Sequence, residues 1–145
     1  MTGSNPKVFF DASVIFSAIY SRAGGSRKLL SFISERLIIG FTSQTVIEEL
    51  VKNIDKFGDS RPDVGGFIGS SGLVVCEKIT LDDIKPYSGI VEAKDAHVIA
   101  GAALTRCEYL VTLDKKHLNN QQVKNKLESL KILSPKDLIR KLERS

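Results

Sequence analysis

Lys7-Val8-Phe9-Phe10-Asp11, near the start of the chain, and Tyr109-Leu110-Val111-Thr112-Leu113-Asp114, far downstream, decide the fold. Each is a short apolar run, rich in aromatic and β-branched residues, that ends at an aspartate. Runs of this length without polar alternation read as strands buried on both faces, the kind found in parallel sheets covered by helices. If the two strands are parallel neighbours, Asp11 and Asp114 emerge in one crevice at the carboxyl edge of the sheet, where such sheets place their sites.

Helix and strand signals alternate outward from these two runs. Ser13 reads as the cap of a helix with Ile15, Phe16 and Ile19 inward. Gly24-Gly25-Ser26 breaks the chain, and Ser26 opens a second helix carrying Leu29, Leu30 and Ile33. Leu37 to Phe41 is the second strand. Ser43 caps a third helix running to about Phe57, with Val46, Ile47, Leu50, Val51 and Ile54 on one stripe. Gly58 to Gly72, rich in Gly, Ser, Asp and Pro, reads as a loop with room for a short helix around Phe67. Leu73 to Cys76 is the third strand, and Thr80-Leu-Asp-Asp83 is a capping box with Asp in place of Glu. Asp95 to Arg106 is an alanine-rich helix, Leu118 to Leu127 another, and Lys131 to Leu133 a last strand. Ser134-Pro135 is the N-cap and first residue of a C-terminal helix. The alternation predicts an α/β fold: one three-layer domain over 7–145, with a mostly parallel sheet of four to five strands and helices on both faces. Residues 1–6 read as a flexible N-terminus.

The chain has 145 residues, of which 42% are hydrophobic. That suffices for one core and excludes a disordered chain. No apolar run approaches the roughly 20 residues that span a bilayer, and no secretory leader is visible, so the expected location is cytoplasmic. Cys76 and Cys107 are too few for a disulfide framework or a four-cysteine zinc site and read as reduced, largely buried thiols. His97 and His117, the two histidines, sit in no metal-binding motif; His97 reads as packing or a local hydrogen bond and His117 as a surface turn residue. The net charge of +4 is uneven. Residues 1–105 carry 11 Lys/Arg against 12 Asp/Glu, and residues 106–145 carry 10 against 5. A basic C-terminal third could guide a polyanion, and equally could be a solvated helix face.

Two further acids join the strand-end pair. Glu49 lies in the apolar stripe of Val46-Ile-Glu-Glu-Leu50, where adjacent positions differ by about 100° around the helix, so one glutamate can face the sheet while Glu48 faces water. Asp95 stands at the start of the alanine-rich helix, as a cap or as a site acid. Converging carboxylates repel one another, and a hard divalent cation relieves that cost while activating water for phosphodiester cleavage.

Four segments in order resemble the PIN-domain family, which includes the VapC-type toxins of toxin–antitoxin pairs: Val8-Phe-Phe-Asp-Ala-Ser-Val14, Ser43-Gln-Thr-Val-Ile-Glu-Glu-Leu50, Lys94-Asp-Ala-His-Val-Ile-Ala-Gly-Ala102 and Leu110-Val-Thr-Leu-Asp-Lys-Lys-His-Leu118. The resemblance implies Asp11, Glu49, Asp95 and Asp114 as catalytic acids, with Asp11, Asp95 and Asp114 as metal ligands and Ser13 and Thr112 in support. Position 13 is often Asn in the family, so Ser13 is a shorter substitute. The resemblance further implies a ribonuclease dependent on Mg2+ or Mn2+, an RNA substrate, an antitoxin protein as partner and a homodimer.

Arg22, Arg27 and Lys28 beside the Gly24-Gly25 break, and Lys115 and Lys116 after Asp114, are candidate substrate contacts. The competing reading is a PIN-like scaffold that binds RNA or protein without cutting, against which the presence of all four acids argues. A phosphoacceptor domain of the response-regulator kind would need a pair of acids after the first strand, and here Asp11 stands alone.

Overall fold

The computed structural model describes residues 5–56 and 62–144. Their strands are β1 (Lys7–Phe10), β2 (Ile39–Ser43), β3 (Val74–Cys76), β4 (Tyr109–Val111) and β5 (Lys131–Leu133). All pair in parallel, in the order β3-β2-β1-β4-β5. The helices are α1 (Ala12–Tyr20), α2 (Gly25–Ser34), α3 (Gln44–Asp55), α4 (Val64–Ser71), α5 (Leu81–Ile84), α6 (Ala93–Leu104), α7 (Gln121–Lys126) and α8 (Pro135–Glu143). This is the expected α/β sheet with helices on both faces.

The register assigns the faces. Val8 pairs with Gly40 and Phe9 with Phe41, so successive pairs face opposite layers. A Cβ on Gly40 would lie 2.4 Å from Ile33 of α2, and one on Gly101 of α6 would lie 2.5 Å from the Phe9 ring. The α2 layer, which α1, α4 and α8 join, therefore covers one face and α6 the other. Both glycines mark places where a helix approaches the sheet too closely for a side chain. Val8, Phe9, Phe10, Leu110 and Val111 are fully buried, which explains why these central strands lack polar alternation.

Several boundaries shift. Asp11, not Ser13, occupies the N-cap of α1 and accepts from the Ala12 amide at 2.8 Å. Gly24 precedes α2, which starts one residue before Ser26. The second strand lies two residues later than expected, because Arg36 takes a positive φ of 61° and Leu37 is exposed in the turn. Thr42 and Ser43 extend it despite being polar: Thr42 donates to the Phe10 carbonyl, and Ser43 accepts from the Val46 amide as the cap of α3. Within the expected loop, Val64–Ser71 is helical, capped by Asp63 and ended by Gly72 at φ 85°. Residues 57–61, including the expected end of the third helix at Phe57, lie outside the described residues. The Thr80–Asp83 capping box and the Ser134 cap are present.

Of residues 1–6, the first four lie outside the described residues, while the Pro6 carbonyl accepts from the Ile39 amide at 2.9 Å. Both cysteines are free thiols. Cys107 is buried, which pushes its thiol up to about 11, whereas Cys76 is half-buried rather than enclosed. No helix among the described residues is long and apolar enough to cross a membrane.

Candidate metal centre

From β1 the chain proceeds outward to β2 and β3, then returns to the other side of β1 as β4 and β5. The strand order thus reverses between β1 and β4, and ligands of open α/β sheets bind outside the carboxyl ends at such a point. Asp11 and Thr112 are the residues that leave these two strands there. The Asp11 amide still donates to the Val111 carbonyl at 3.1 Å, so the ladder holds Asp11 in place.

Asp11 is buried and heavily bonded. Its Oδ1 accepts from the Ala12 amide, and its Oδ2 accepts from the Ser13 hydroxyl at 2.9 Å and the Thr112 hydroxyl at 2.6 Å. Thr112, fully buried, accepts in turn from the Asp114 amide at 3.0 Å. Ser13 Oγ accepts from the Leu113 amide at 3.0 Å. Two hydroxyls therefore stitch the first turn of α1 to the segment after β4. Ser13 and Thr112, read in the sequence as supporting residues, both bond to Asp11.

Asp114 organises the turn that follows. Its Oδ1 accepts from the amides of Lys116 and His117 at 3.1 and 2.9 Å, and its Oδ2 lies 3.2 Å from His117 Nδ1. Asp95 sits in the first turn of α6, three residues past Glu92, which holds the N-cap position. Its Oδ2 is buried without a hydrogen-bond partner. Glu49 of α3 lies 3.1 Å from His97 Nε2, while Glu48 turns outward to Lys78 at 3.3 Å. The two neighbouring glutamates diverge as their helical positions require.

Asp11, Glu49, Asp95 and Asp114 line one cavity of about 440 Å³, together with Ser13, Phe16, Asn53 and Lys56. A second hollow of about 580 Å³ shares Glu49, Asp95 and Asp114 and adds Lys52, Lys94 and His97. The acids thus form a divide between two cation-bearing hollows. Asp95, Asp114 and His117 each offer a ligand atom, all within 4.8 Å of one another.

The electrostatics differ from acid to acid. Burial pushes the Asp11 carboxyl above its ordinary value; the Thr112 and Ser13 hydroxyls oppose this by favouring the charged form, and the Glu49 charge adds to the rise. Burial also raises Asp95, reinforced by the Asp114 charge. For Asp114 burial pushes upward too, but the amide, ring and charge of His117 and the Lys116 amide outweigh it, so its carboxyl is held below the ordinary value. Burial, with a smaller effect of neighbouring charge, thus makes Asp11 and Asp95 harder to ionise, whereas Asp114 ionises more readily.

The basic residues divide. Lys115 and Lys116 lie in the turn after Asp114. Arg22 follows the C-cap of α1, at the opposite end of that helix from Asp11. Arg27 is structural: its guanidinium donates to the Ala18 and Ile19 carbonyls at 2.7 and 3.5 Å and lies 5.2 Å from the Phe67 ring centre. Lys28 pairs with Glu143 of α8 at 3.3 Å and borders a hollow beside Pro6, at the amino edge of the sheet. Neither belongs to the acid-lined cavity. Asn53 and Lys56 do, and sequence reasoning missed them; lying four and seven positions after Glu49, they share its helical face.

A family model described as a PIN domain matches residues 7–116. Among solved structures, VapBC2 from Rickettsia felis, bound to a DNA fragment from its promoter, is similar with a TM-score of 0.63 and 14% identity, covering 88% of this chain and 98% of that one. At that identity the likeness is one of fold. Curated proteins yield no match.

Proposed function

Because the chain belongs to the PIN-domain family, we propose that it is a divalent-metal-dependent endoribonuclease that hydrolyses RNA phosphodiester bonds, the toxin of a toxin–antitoxin pair. The observation that carries this reading is the convergence of Asp11, Glu49, Asp95 and Asp114 on one cavity at the point where strand order reverses.

The residues present fit a divalent cation. Asp95 Oδ2 is a buried oxygen without a partner, a costly state that a ligand would relieve. A carboxylate offers about four acceptor positions, and the three hydrogen bonds to Asp11 leave it room for one more ligand. Asp11, Asp95 and Asp114 would hold the ion, Mg2+ or Mn2+, with Glu49 beside it. When bound, the ion supplies activation of water and neutralisation of charge on the phosphodiester.

The chain's own groups do the rest. Thr112 and Ser13 orient Asp11 and favour its charged form against the effect of burial. His97 Nε2 steadies the Glu49 carboxylate, which is placed to accept a proton from attacking water. Lys56 on one side of the acids, and Lys52 and Lys94 on the other, offer cations to successive phosphates of a strand lying across the divide. Lys115 and Lys116 extend that path. The similarity to a VapBC complex supports an antitoxin protein as partner; a homodimer is the assembly proposed from the family resemblance, and the proposed location is the cytoplasm.

The test is cleavage of a mixed RNA pool with Mg2+, Mn2+ or chelator by the wild-type protein beside Asp11→Asn, Asp95→Asn and Asp114→Asn. Metal-dependent cleavage that all three variants lose is the expected result. Cleavage that survives in the variants would point to a contaminant or a different site and overturn the assignment of these acids, and binding of RNA without cleavage under every metal would overturn the nuclease reading in favour of a scaffold.

A further inference from the structure

The turn after β4 brings an imidazole to the edge of a site otherwise built from oxygen. We propose that His117 is a nitrogen ligand of the metal centre and gives it a preference for first-row transition ions, Mn2+ and Zn2+, over Mg2+; the inference rests on the metal site of the proposed nuclease.

Three observations converge. A ring nitrogen of His117, an oxygen of Asp95 and an oxygen of Asp114 lie within 4.8 Å of one another, close enough for one small cation to be shared with minor side-chain movement. His117 is anchored rather than free: its amide donates to Asp114 Oδ1 at 2.9 Å, and its Nδ1 lies 3.2 Å from Asp114 Oδ2. Its Nε2 lies 3.9 Å from Glu92 Oε1, beyond hydrogen-bond range, so Nδ1 is the ring nitrogen shown beside the acids. A ring nitrogen and a carboxylate oxygen this close together can share one cation, which would replace the contact between them. Finally, Asp95 Oδ2 is buried and unpartnered within this same group.

The donor set determines the class of ion. Mg2+ takes oxygen ligands and sheds water reluctantly. Imidazole nitrogen suits zinc and other first-row transition ions, and mixed carboxylate–imidazole sites accept Mn2+. His97 cannot take this role. Its Nε2 is engaged by Glu49, its Nδ1 is buried elsewhere, and it is not part of the three-ligand group.

The test is titration calorimetry of the full chain with Mn2+, Zn2+ and Mg2+ separately, for wild type, His117→Asn, His117→Gln and Asp95→Asn. Asparagine keeps a short amide donor for Asp114 but has no imidazole. Both histidine variants are expected to lose about tenfold or more in Mn2+ and Zn2+ affinity while Mg2+ affinity changes less than about threefold. With two histidines in the chain, nitrogen NMR of the imidazoles adds a direct readout: Zn2+ should move a His117 ring nitrogen far more than either nitrogen of His97. Parallel losses for all three ions would mean that His117 only positions Asp114 and would overturn the inference, as would unchanged affinities or an unmoved His117 ring. Wild-type protein that binds none of the ions, or Asp95→Asn that binds them all as tightly as wild type, would instead remove the metal site itself.

Discussion

Thr112→Val is the most informative single change in this molecule, because one hydroxyl joins two site acids. Thr112 is fully buried, so valine fits its volume and only the hydroxyl is lost. That removes the 2.6 Å bond to Asp11 Oδ2 and the acceptor of the Asp114 amide. A hydrogen bond to a charged group contributes about 1.5–3 kcal/mol, and an amide left short of its partner costs at least about 1 kcal/mol more. Loss of about 3 kcal/mol follows, or a fall in Tm of roughly 6–12 °C for a domain of this size. Thr112→Ser keeps both bonds and should lose only about 1 kcal/mol for its methyl group. Function should suffer separately. The Thr112 hydroxyl is the strongest influence holding the Asp11 carboxyl down against burial, so in the valine variant Asp11 ionises less readily. Mn2+ affinity at neutral pH should fall about tenfold to a hundredfold, the range for lost support of a metal ligand. Thermal denaturation and Mn2+ calorimetry of wild type, serine and valine variants provide the assay. A valine variant within about 0.5 kcal/mol of wild type, with unchanged Mn2+ affinity, would refute the claim that this hydroxyl holds the site together.

Stability without metal should depend on pH in opposite directions at different acids. Asp11 and Asp95 have raised carboxyl values, so their favourable contribution is complete below the ordinary aspartate range and fades as pH rises through the raised values; Asp114 is lowered, and its contribution is present above that range and fades in acid. The Tm gain from Mn2+ should therefore grow from pH 5 to pH 8, and a constant gain in a melting series would contradict this. Arg27→Met should cost about 1–2 kcal/mol by freeing two carbonyls and the Phe67 ring, yet leave RNA affinity within twofold of its parent when measured in the Asp95→Asn background. Gly101→Ala should destabilise by about 2 kcal/mol on denaturant titration, since its Cβ would press on the fully buried Phe9 ring; a gain in stability would show that α6 can move off the sheet.

Much of the architecture was legible because its signals are local. Fully apolar runs ending in aspartate can be read without knowing the tertiary fold, as can the Ser43, Thr80 and Ser134 caps, whose side chains bond amides three residues away. The failures arise where a distant partner decides. Thr42 extends β2 because the Phe10 carbonyl is there to accept its hydroxyl. Leu118 is buried in the turn before α7, so its apolar character reflects packing, and the helix begins only after the Asn120 cap. The short helix around Phe67 for which the sequence left room is Val64–Ser71, bounded by the Asp63 cap and the left-handed Gly72.

The site divides along the same line. Asp11, Asp95, Glu49 and Asp114 could be picked out because acids interrupting apolar segments are conspicuous whatever surrounds them. Their unequal environments could not. Asp11 is enclosed and laced by hydroxyls from two elements, Asp95 keeps an unpartnered oxygen, and Asp114 gathers the amides of its own turn. That inequality follows from the topology. Asp11 leaves the central strand β1 and caps a helix directly, so it is walled in by β4 on one side and α1 on the other. Asp114 lies two residues further along a free turn, where amides and an imidazole can reach it. A carboxylate held charged beside one that resists charging gives a cation an anchor first and a reason to stay second. The same turn that keeps Asp114 ionised delivers His117, so the feature least visible in the sequence is the one that bears most directly on which ion the site takes.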